Sequence, residues 1–330
     1  MRHVVVFGGQ YGSEGKASAA EFLAKKLRAE YPGLHLTVIG ENGPNSGHTS
    51  TQGSTRSIPA SSFWADSILM GPDSVIELEL LQRDWRAVKK PIYIHEHAAV
   101  LMPEMKADES DLVRRISSTG SGTGMARAGK FIHRRVESVI EHDFFSLNQD
   151  IVVVDNEAYF NLISHISSNL AIFECSQGLL LDTNFGLFPH VTSRSTLPRV
   201  AVERNGLGGL DWSYYGVFRT YPIRTGGPSG PCAGKELTWA SLGVKPEITT
   251  VTKRVRRVFE FSTGEFMRSL QLARPDGLMF TFLDYLGLTN LDQNDLDNFL
   301  EWVDFHRLTP YAKRLDMFVS CQTGNFVHLQ

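Results

Sequence analysis

Five short segments of the 330-residue chain carry residue types that can bind and activate ligands. The first, GGQYGSEGKAS from Gly8 to Ser18, sets glycines and a lysine between a β-branched run and a helix-forming stretch. Glycines let a backbone approach phosphate oxygens, the following helix start offers free N–H groups and a positive dipole end, and Lys16 adds a full charge. The spacing is not that of a Walker A loop, which needs glycine at position 10 and Ser or Thr at 17, where this chain has Gln10 and Ala17. The second segment, ENGPNSGHTS from Glu41 to Ser50, holds His48, a side chain able to give a proton or stabilise charge. The third, SSTGSGTG from Ser117 to Gly124, precedes Lys130, His133, Arg134 and Arg135. Hydroxyls and amides beside cations suit a phosphate monoester. The fourth, ECSQG, ends with Gln177 and Gly178, with HVTS following from His190 to Ser193. A glutamine amide both donates and accepts, and so can read the edge of a base. The fifth, TVTKRVRR from Thr250 to Arg257, crowds Arg254, Arg256 and Arg257. Forked guanidiniums bind carboxylates in pairs, which makes a dicarboxylate the natural ligand. Taken singly, each segment also fits an ordinary turn or a solvated face.

The elements that must position these segments read as α/β. Apolar runs predict strands at His3–Phe7, Leu34–Ile39, Pro91–Tyr93, Ile151–Val154, Ala171–Phe173, Tyr215–Thr220, Leu278–Phe282 and Met317–Val319. Helical patterns at Glu14–Glu30, Asn156–Ser168, Thr263–Ala273 and Leu291–Trp302 alternate with them, as in a mostly parallel sheet flanked by helices. Long irregular stretches at Glu41–Arg56, Ser117–Gly129, Gly186–Arg199, Arg224–Lys235 and Val244–Arg257 are the lengths expected of functional loops. There is no convincing linker, so residues 1–330 are expected to form one domain. The formal net charge of −3 gives no sign of the broad basic field that non-specific nucleic-acid binding needs, while leaving room for a small anion in a locally basic pocket. No stretch approaches the roughly 20 apolar residues of a membrane span. The N-terminus lacks the pattern of a secretory signal, and three scattered cysteines fit a reduced cytoplasmic setting.

In this order the segments resemble adenylosuccinate synthetase. That family carries GxxWGDEGKGK, NAGHT, a GTTGRGIGP-like loop, FEGAQG with a following VTS, TTGRxRR, TKLD and a C-terminal S-x-GP element. This chain reads GGQYGSEGKAS, NSGHT, SSTGSGTGM, FECSQG with VTS, TVTKRVRR, TFLD and SCQTG, from residue 4 to about 325. The resemblance implies a P-loop-like, GTPase-related fold and a two-step ligation. A triphosphate's γ-phosphate goes to O6 of a 6-oxopurine nucleotide, and the amino group of L-aspartate then displaces it at C6. Phosphorylation turns a poor leaving oxygen into a good one.

Carried to this chain, the resemblance implies that Gly12, Ser13, Glu14, Gly15, Lys16, Ala17 and Ser18 cradle the donor phosphates, with Lys16 on the transferred group. Gly47, through its carbonyl, and Ser13 would face Mg²⁺, and His48 would stabilise charge at O6. Thr49, Arg256, Asp284, Ser320 and Gly324 complete the donor side. Asn45 and Gln177 would contact the acceptor nucleotide near its reacting end, beside Ser13. Ser118, Thr119 and Thr192 would hold its 5′-phosphate, joined by Arg134, or Arg135 after a one-residue slip, from a partner subunit of a homodimer. Thr252, Arg254 and Arg256 would bind aspartate, with Arg254 near the ribose. Catalysis would fall to Ser13, Lys16, His48 and Gln177.

The departures are as informative. Ser13 replaces the family aspartate of GDEGK, the base for N1 and a Mg²⁺ ligand. A serine is a poor base near neutral pH, but it is short and neutral and leaves room for a 2-amino group. This exchange, and the chain length, are similar to the phage branch of the family, the 2-aminoadenylosuccinate synthetases. That branch acts on dGMP and gives N6-succinyl-2-amino-dAMP for 2-aminoadenine DNA. Phe282 replaces the lysine of TKLD beside the donor base, so ATP or dATP is expected rather than GTP, since an aromatic ring stacks on any purine. Lys253 replaces the glycine of TTGRxRR, and Ala17 departs from GKGK. The expected partners are a purine monophosphate, a triphosphate and L-aspartate, with no nucleic acid and no membrane. The competing readings are an ordinary synthetase acting on IMP and a catalytically silent nucleotide-binding regulator.

Overall fold

Val4, Val5, Val6 and Phe7 are each no more than 1% exposed, because the strand they form is covered on both faces. Val4 and Val6 pack with helix residues Leu23 and Leu27, whereas Val5 and Phe7 pack with Ile39, Leu69 and Phe173 on the other side. An uninterrupted β-branched run is what a strand buried on both sides requires. The computed structural model describes residues 1–133, 149–249, 252–322 and 324–329.

Ten strands form one sheet: β1 His3–Gly8, β2 Leu36–Gly40, β3 Ser67–Met70, β4 Ile92–His95, β5 Ile151–Val154, β6 Leu170–Gly178, β7 Ser213–Arg219, β8 Gly277–Thr281, β9 Asp316–Ser320 and β10 Phe326–Leu329. Their spatial order is β10-β9-β8-β7-β1-β6-β2-β3-β4-β5. All neighbours run parallel except β10, which pairs antiparallel with β9. The chain steps outward from β1 to β5, returns to insert β6 between β1 and β2, and then builds the other half. Ligands of open α/β sheets bind at the carboxyl ends of strands where such reversals occur. The glycine-rich loop after β1, Gln177 in β6, Arg219 in β7 and Phe282 after β8 all lie at that end.

Helix α1, Lys16–Glu30, buries Ala20, Leu23, Ala24 and Leu27 against the sheet. Its N-cap Gly15 has φ 91°, a left-handed conformation that a side chain disfavours. Gly178 allows β6 to pass the loop closely, since a Cβ there would lie 2.2 Å from the Gly12 nitrogen.

The expected elements need several corrections. Strand β3 and the edge strand β10 were not foreseen. The stretch Ser117–Gly129 is a loop only in its first half, because helix Thr123–His133 begins within it. The end of the Gly186–Arg199 stretch enters helix Pro198–Arg204. The Val244–Arg257 stretch holds a hairpin closed by the antiparallel pair Ile248 and Val255. Among the described residues no helix is long and apolar enough to cross a membrane.

Candidate active site

Two adjoining cavities open along the carboxyl rim. The larger, of about 480 Å³, is walled by the glycine-rich loop, the stretch 45–51, Gln177, Arg219, Arg256 and Phe282. The smaller, of about 170 Å³, is walled by Glu109, the stretch 117–119 and the stretch 190–193. Tyr11, Asn45, Thr119, Gln177 and Arg224 belong to both walls. Four non-glycine residues with left-handed backbones line these cavities: Ser13 (φ 59°), Ser117 (φ 55°), Gln177 (φ 68°) and Phe282 (φ 61°). Such strain gathers where surrounding structure holds a functional side chain in place.

Lys16 and His48 line the same cavity. The Lys16 amine pairs with Glu14 Oε2 at 2.8 Å. Glu14 is fully buried and its Oε1 accepts from the Gln10 and Gly12 amides at 3.1 and 2.7 Å. It therefore braces the loop from behind, and it does not line the cavity. His48 is anchored by Glu174, whose Oε1 lies 2.6 Å from Nδ1. Glu174 Oε2 accepts from the Ser61 amide and hydroxyl at 3.1 and 2.7 Å. Burial opposes ionisation of Glu174, but the imidazole and the Ser61 donors together hold its carboxyl below the usual carboxylate range. A carboxylate on Nδ1 fixes the ring and stabilises its cation, which leaves Nε2 as the working nitrogen. Nε2 lies 3.2 Å from the Asn42 amide nitrogen.

Around Ser13 the site is cationic. The Ser13 hydroxyl lies 2.6 Å from Arg256 Nη1, and its carbonyl accepts from Arg219 Nη1 at 3.0 Å. Arg219 is fully buried, pairs with Glu247 and stacks its guanidinium 3.6 Å from the Phe282 ring centre. Tyr285 donates to Glu247 at 2.8 Å. Burial raises the cost of charge on Glu247, yet Arg219, Tyr285 and Arg256 keep its carboxyl below the usual range. Glu247 is the one carboxylate among the described residues lining the larger cavity. In the hairpin, Thr249 and Thr252 pair through their hydroxyls at 2.6 Å, and the Arg254 amide donates to Thr249 Oγ1 at 2.9 Å.

An adenylosuccinate synthetase family model matches residues 142–293. The N6-succino-2-amino-2′-deoxyadenylate synthase of Vibrio phage phiVC8 is 31% identical over 313 residues, covering 84% of this chain and 84% of that protein. The chain belongs to the adenylosuccinate synthetase family. The adenylosuccinate synthetase of Bordetella petrii is 26% identical over 349 residues, covering 88% of this chain and 79% of its own length. Among solved structures, the succinoaminodeoxyadenylate synthetase of cyanophage S-2L, bound to dGMP and to dATP as an energy donor, superposes with a TM-score of 0.80 and 26% identity. That match covers 99% of this chain and 95% of the other. The adenylosuccinate synthetase of Plasmodium falciparum shares the fold, with a TM-score of 0.70 at 20% identity over 88% of this chain and 78% of that one.

Most of the residues that the synthetase motifs single out meet here. Gly12, Ser13, Gly15, Lys16, Ala17, Ser18, Asn45, Gly47, His48, Thr49, Gln177, Thr252 and Arg256 line the larger cavity. Ser118, Thr119 and Thr192 line the smaller one. Arg254 lines neither; its guanidinium lies 3.5 Å from Ser117 Oγ, at the edge of the smaller cavity. Asp284, Ser320 and Gly324 also stand outside the linings. Asp284 accepts from the amide of Gln322, which does line the larger cavity, and Ser320 is fully buried. Lys130 spends its amine on the carbonyls of Pro72 and His97 at 2.6 and 2.9 Å, away from either lining. Arg134 and Arg135 lie outside the described residues.

Sequence reasoning passed over Tyr11, Arg219, Arg224 and Glu247. Tyr11 bonds Glu265, and the Arg224 guanidinium lies 4.4 Å from the Tyr11 ring centre, where the two cavities meet. Arg219 and Arg224 flank a strand end and carry no motif; only the sheet order, which sets β7 beside β1, could have marked them.

Proposed function

We propose that this ligase joins L-aspartate to C6 of dGMP at the expense of a purine triphosphate, through a 6-phosphoryl intermediate, giving N6-succinyl-2-amino-dAMP. The observation that carries the reading is the shared cavity of Lys16 and the Glu174-anchored His48, walled by a neutral Ser13. The phage relatives and the dGMP-bound cyanophage enzyme support the choice of acceptor.

The acceptor lies with its phosphate in the smaller cavity, on Ser118, Thr119 and Thr192, and its base against Asn45 and Gln177. With the Asn42 amide turned away, His48 Nε2 donates to O6 as charge develops there, and Glu174 holds the ring for that task. Lys16 guides the transferred phosphoryl group. The hairpin threonine Thr252 and Arg256 present aspartate to C6, with Arg254 at the sugar side. Phe282, already stacked on Arg219, offers an aromatic edge to a donor purine of either kind, and the dATP-bound cyanophage enzyme supports dATP or ATP as that donor.

Among the described residues no cluster of three or more His, Cys, Asp or Glu side chains forms a metal cage. Mg²⁺ is commonly carried by substrate phosphates with few protein ligands, and Gly47 lines the larger cavity beside the glycine-rich loop. Gly47 would hold it, while the Ser13 hydroxyl is engaged by Arg256. When bound, the ion neutralises phosphate charge. The enzyme works as a homodimer in the cytoplasm of the infected cell, and Arg134, or Arg135 after a one-residue slip, is the residue the family's pattern would send to the partner's phosphate site.

The test incubates the protein with aspartate, Mg²⁺ and dATP, and with dGMP or IMP. Faster phosphate release with dGMP, with the succinylated product seen by mass, is expected. Faster release with IMP overturns the choice of acceptor.

A further inference from the structure

Behind the smaller cavity lies a buried cluster of charges that the ligation itself does not use. Arg194 reaches Glu41 and Asp73 at 3.0 Å each. Arg204 reaches Glu41 at 3.0 Å and Asp73 at 3.6 Å. Arg127 stands 3.8 Å from Asp73, with its side chain 7% exposed. Among the described residues three guanidiniums therefore share two carboxylates, and one positive charge is left over. Lys130 adds its charge to the same side of the balance. A buried cation short of an anion is costly. Burial indeed pulls the Arg127 guanidinium down to about 9.

The surplus faces the cavity. Arg127 Nη1 donates to Ser193 Oγ at 3.4 Å, and Ser193 lines the smaller cavity beside Thr192. A serine that accepts from a guanidinium can turn its own proton toward a ligand oxygen, and such chained bonds strengthen one another. The helix start at Thr123 would otherwise be the local anion site. It is already spent, because the Gly122 and Gly124 amides donate to the Glu109 carboxylate at 2.8 and 2.7 Å. Glu109 also lines this cavity, so an incoming anion must draw positive charge from elsewhere.

We propose that Arg127, acting through Ser193, is a positioning residue that supplies the buried counter-charge for the acceptor's 5′-phosphate. This rests on the reading that the smaller cavity holds a nucleoside monophosphate. Arg127 is not needed to balance its neighbours: without it, Arg194 and Arg204 still match Glu41 and Asp73 one for one.

The experiment compares Arg127→Met and Arg127→Lys with the parent enzyme. Calorimetry gives the dissociation constants of dGMP and of phosphate-free deoxyguanosine, and thermal melts follow the unliganded proteins. Arg127→Met is expected to weaken dGMP about tenfold or more, as loss of a nearby buried charge should. Deoxyguanosine should stay within about twofold, the melting temperature should not fall, and Arg127→Lys should keep most of the dGMP affinity. Unchanged dGMP affinity in Arg127→Met overturns the proposal, and so does an equal loss for both ligands. A parent enzyme that binds dGMP no better than deoxyguanosine would overturn the monophosphate reading, and this role with it.

Discussion

Ser13 Oγ lies 2.6 Å from Arg256 Nη1, in a turn whose φ of 59° an aspartate also tolerates. Ser13→Asp therefore changes chemistry more than backbone. The new carboxylate would pair with Arg256, draw it from aspartate and fill the space left for a 2-amino group. We expect kcat/KM with dGMP to fall at least about tenfold, and the ratio of IMP to dGMP turnover to rise. Phosphate release with each nucleotide measures both, and an unchanged ratio would remove Ser13 from acceptor choice. His48→Ala should lower kcat by about 10²-fold or more. Glu174→Gln keeps the shape but removes the charge that fixes the imidazole, so kcat should drop about tenfold or more while KM for dGMP moves little. Steady-state kinetics on the two variants test the pair. If Glu174→Gln turns over like the parent, the carboxylate only fills the core.

At the scale of elements, the hairpin proposed to present aspartate accommodates a departure from the family pattern. Lys253 stands where the family has glycine, yet it adopts φ 54°, next to the hydroxyl pair of Thr249 and Thr252. A lysine in this conformation costs roughly 1 kcal/mol, which the surrounding bonds absorb. Lys253→Gly should therefore leave KM for aspartate within about twofold, whereas Lys253→Val, β-branched and ill suited to a left-handed turn, should raise it several-fold. Progress curves at varied aspartate decide this; a harmless valine would show that the turn does not shape the aspartate site. The same logic explains what could be read beforehand. Runs such as Val4–Phe7 and Ala171–Phe173 were legible because burial on both faces demands continuous apolar residues. Helix Thr123–His133 was not, since Gly122, Gly124 and Gly129 give it a loop's composition. Strand β3 has three apolar residues, of which only Ile68 is β-branched, a pattern that a buried turn or helix segment shares. The glycine-rich loop and His48 were visible as motifs, but Arg219 and Glu247 enter the site only through tertiary contact.

The whole molecule should respond to acid in a definite direction. Burial holds His35, His95 and His306 below the ordinary histidine value of 6.5. Between their folded and unfolded pKa values the unfolded chain binds more protons, so stability rises with pH there and is lost as pH falls below about 6.5. Glu174 and Glu247, held low in the folded protein, extend the loss in the same sense below 4.5. Urea midpoints at pH 5 and 7.5 test this, and a higher midpoint at pH 5 would contradict it. At this scale the two cavities also stand against each other, with Tyr11, Gln177 and Arg224 in a common partition. Whatever factor the triphosphate adds to the grip on the monophosphate must be returned in full by the monophosphate to the triphosphate. A single inhibitor spanning that partition would meet its second half already at high local concentration, and could bind far more tightly than either half alone.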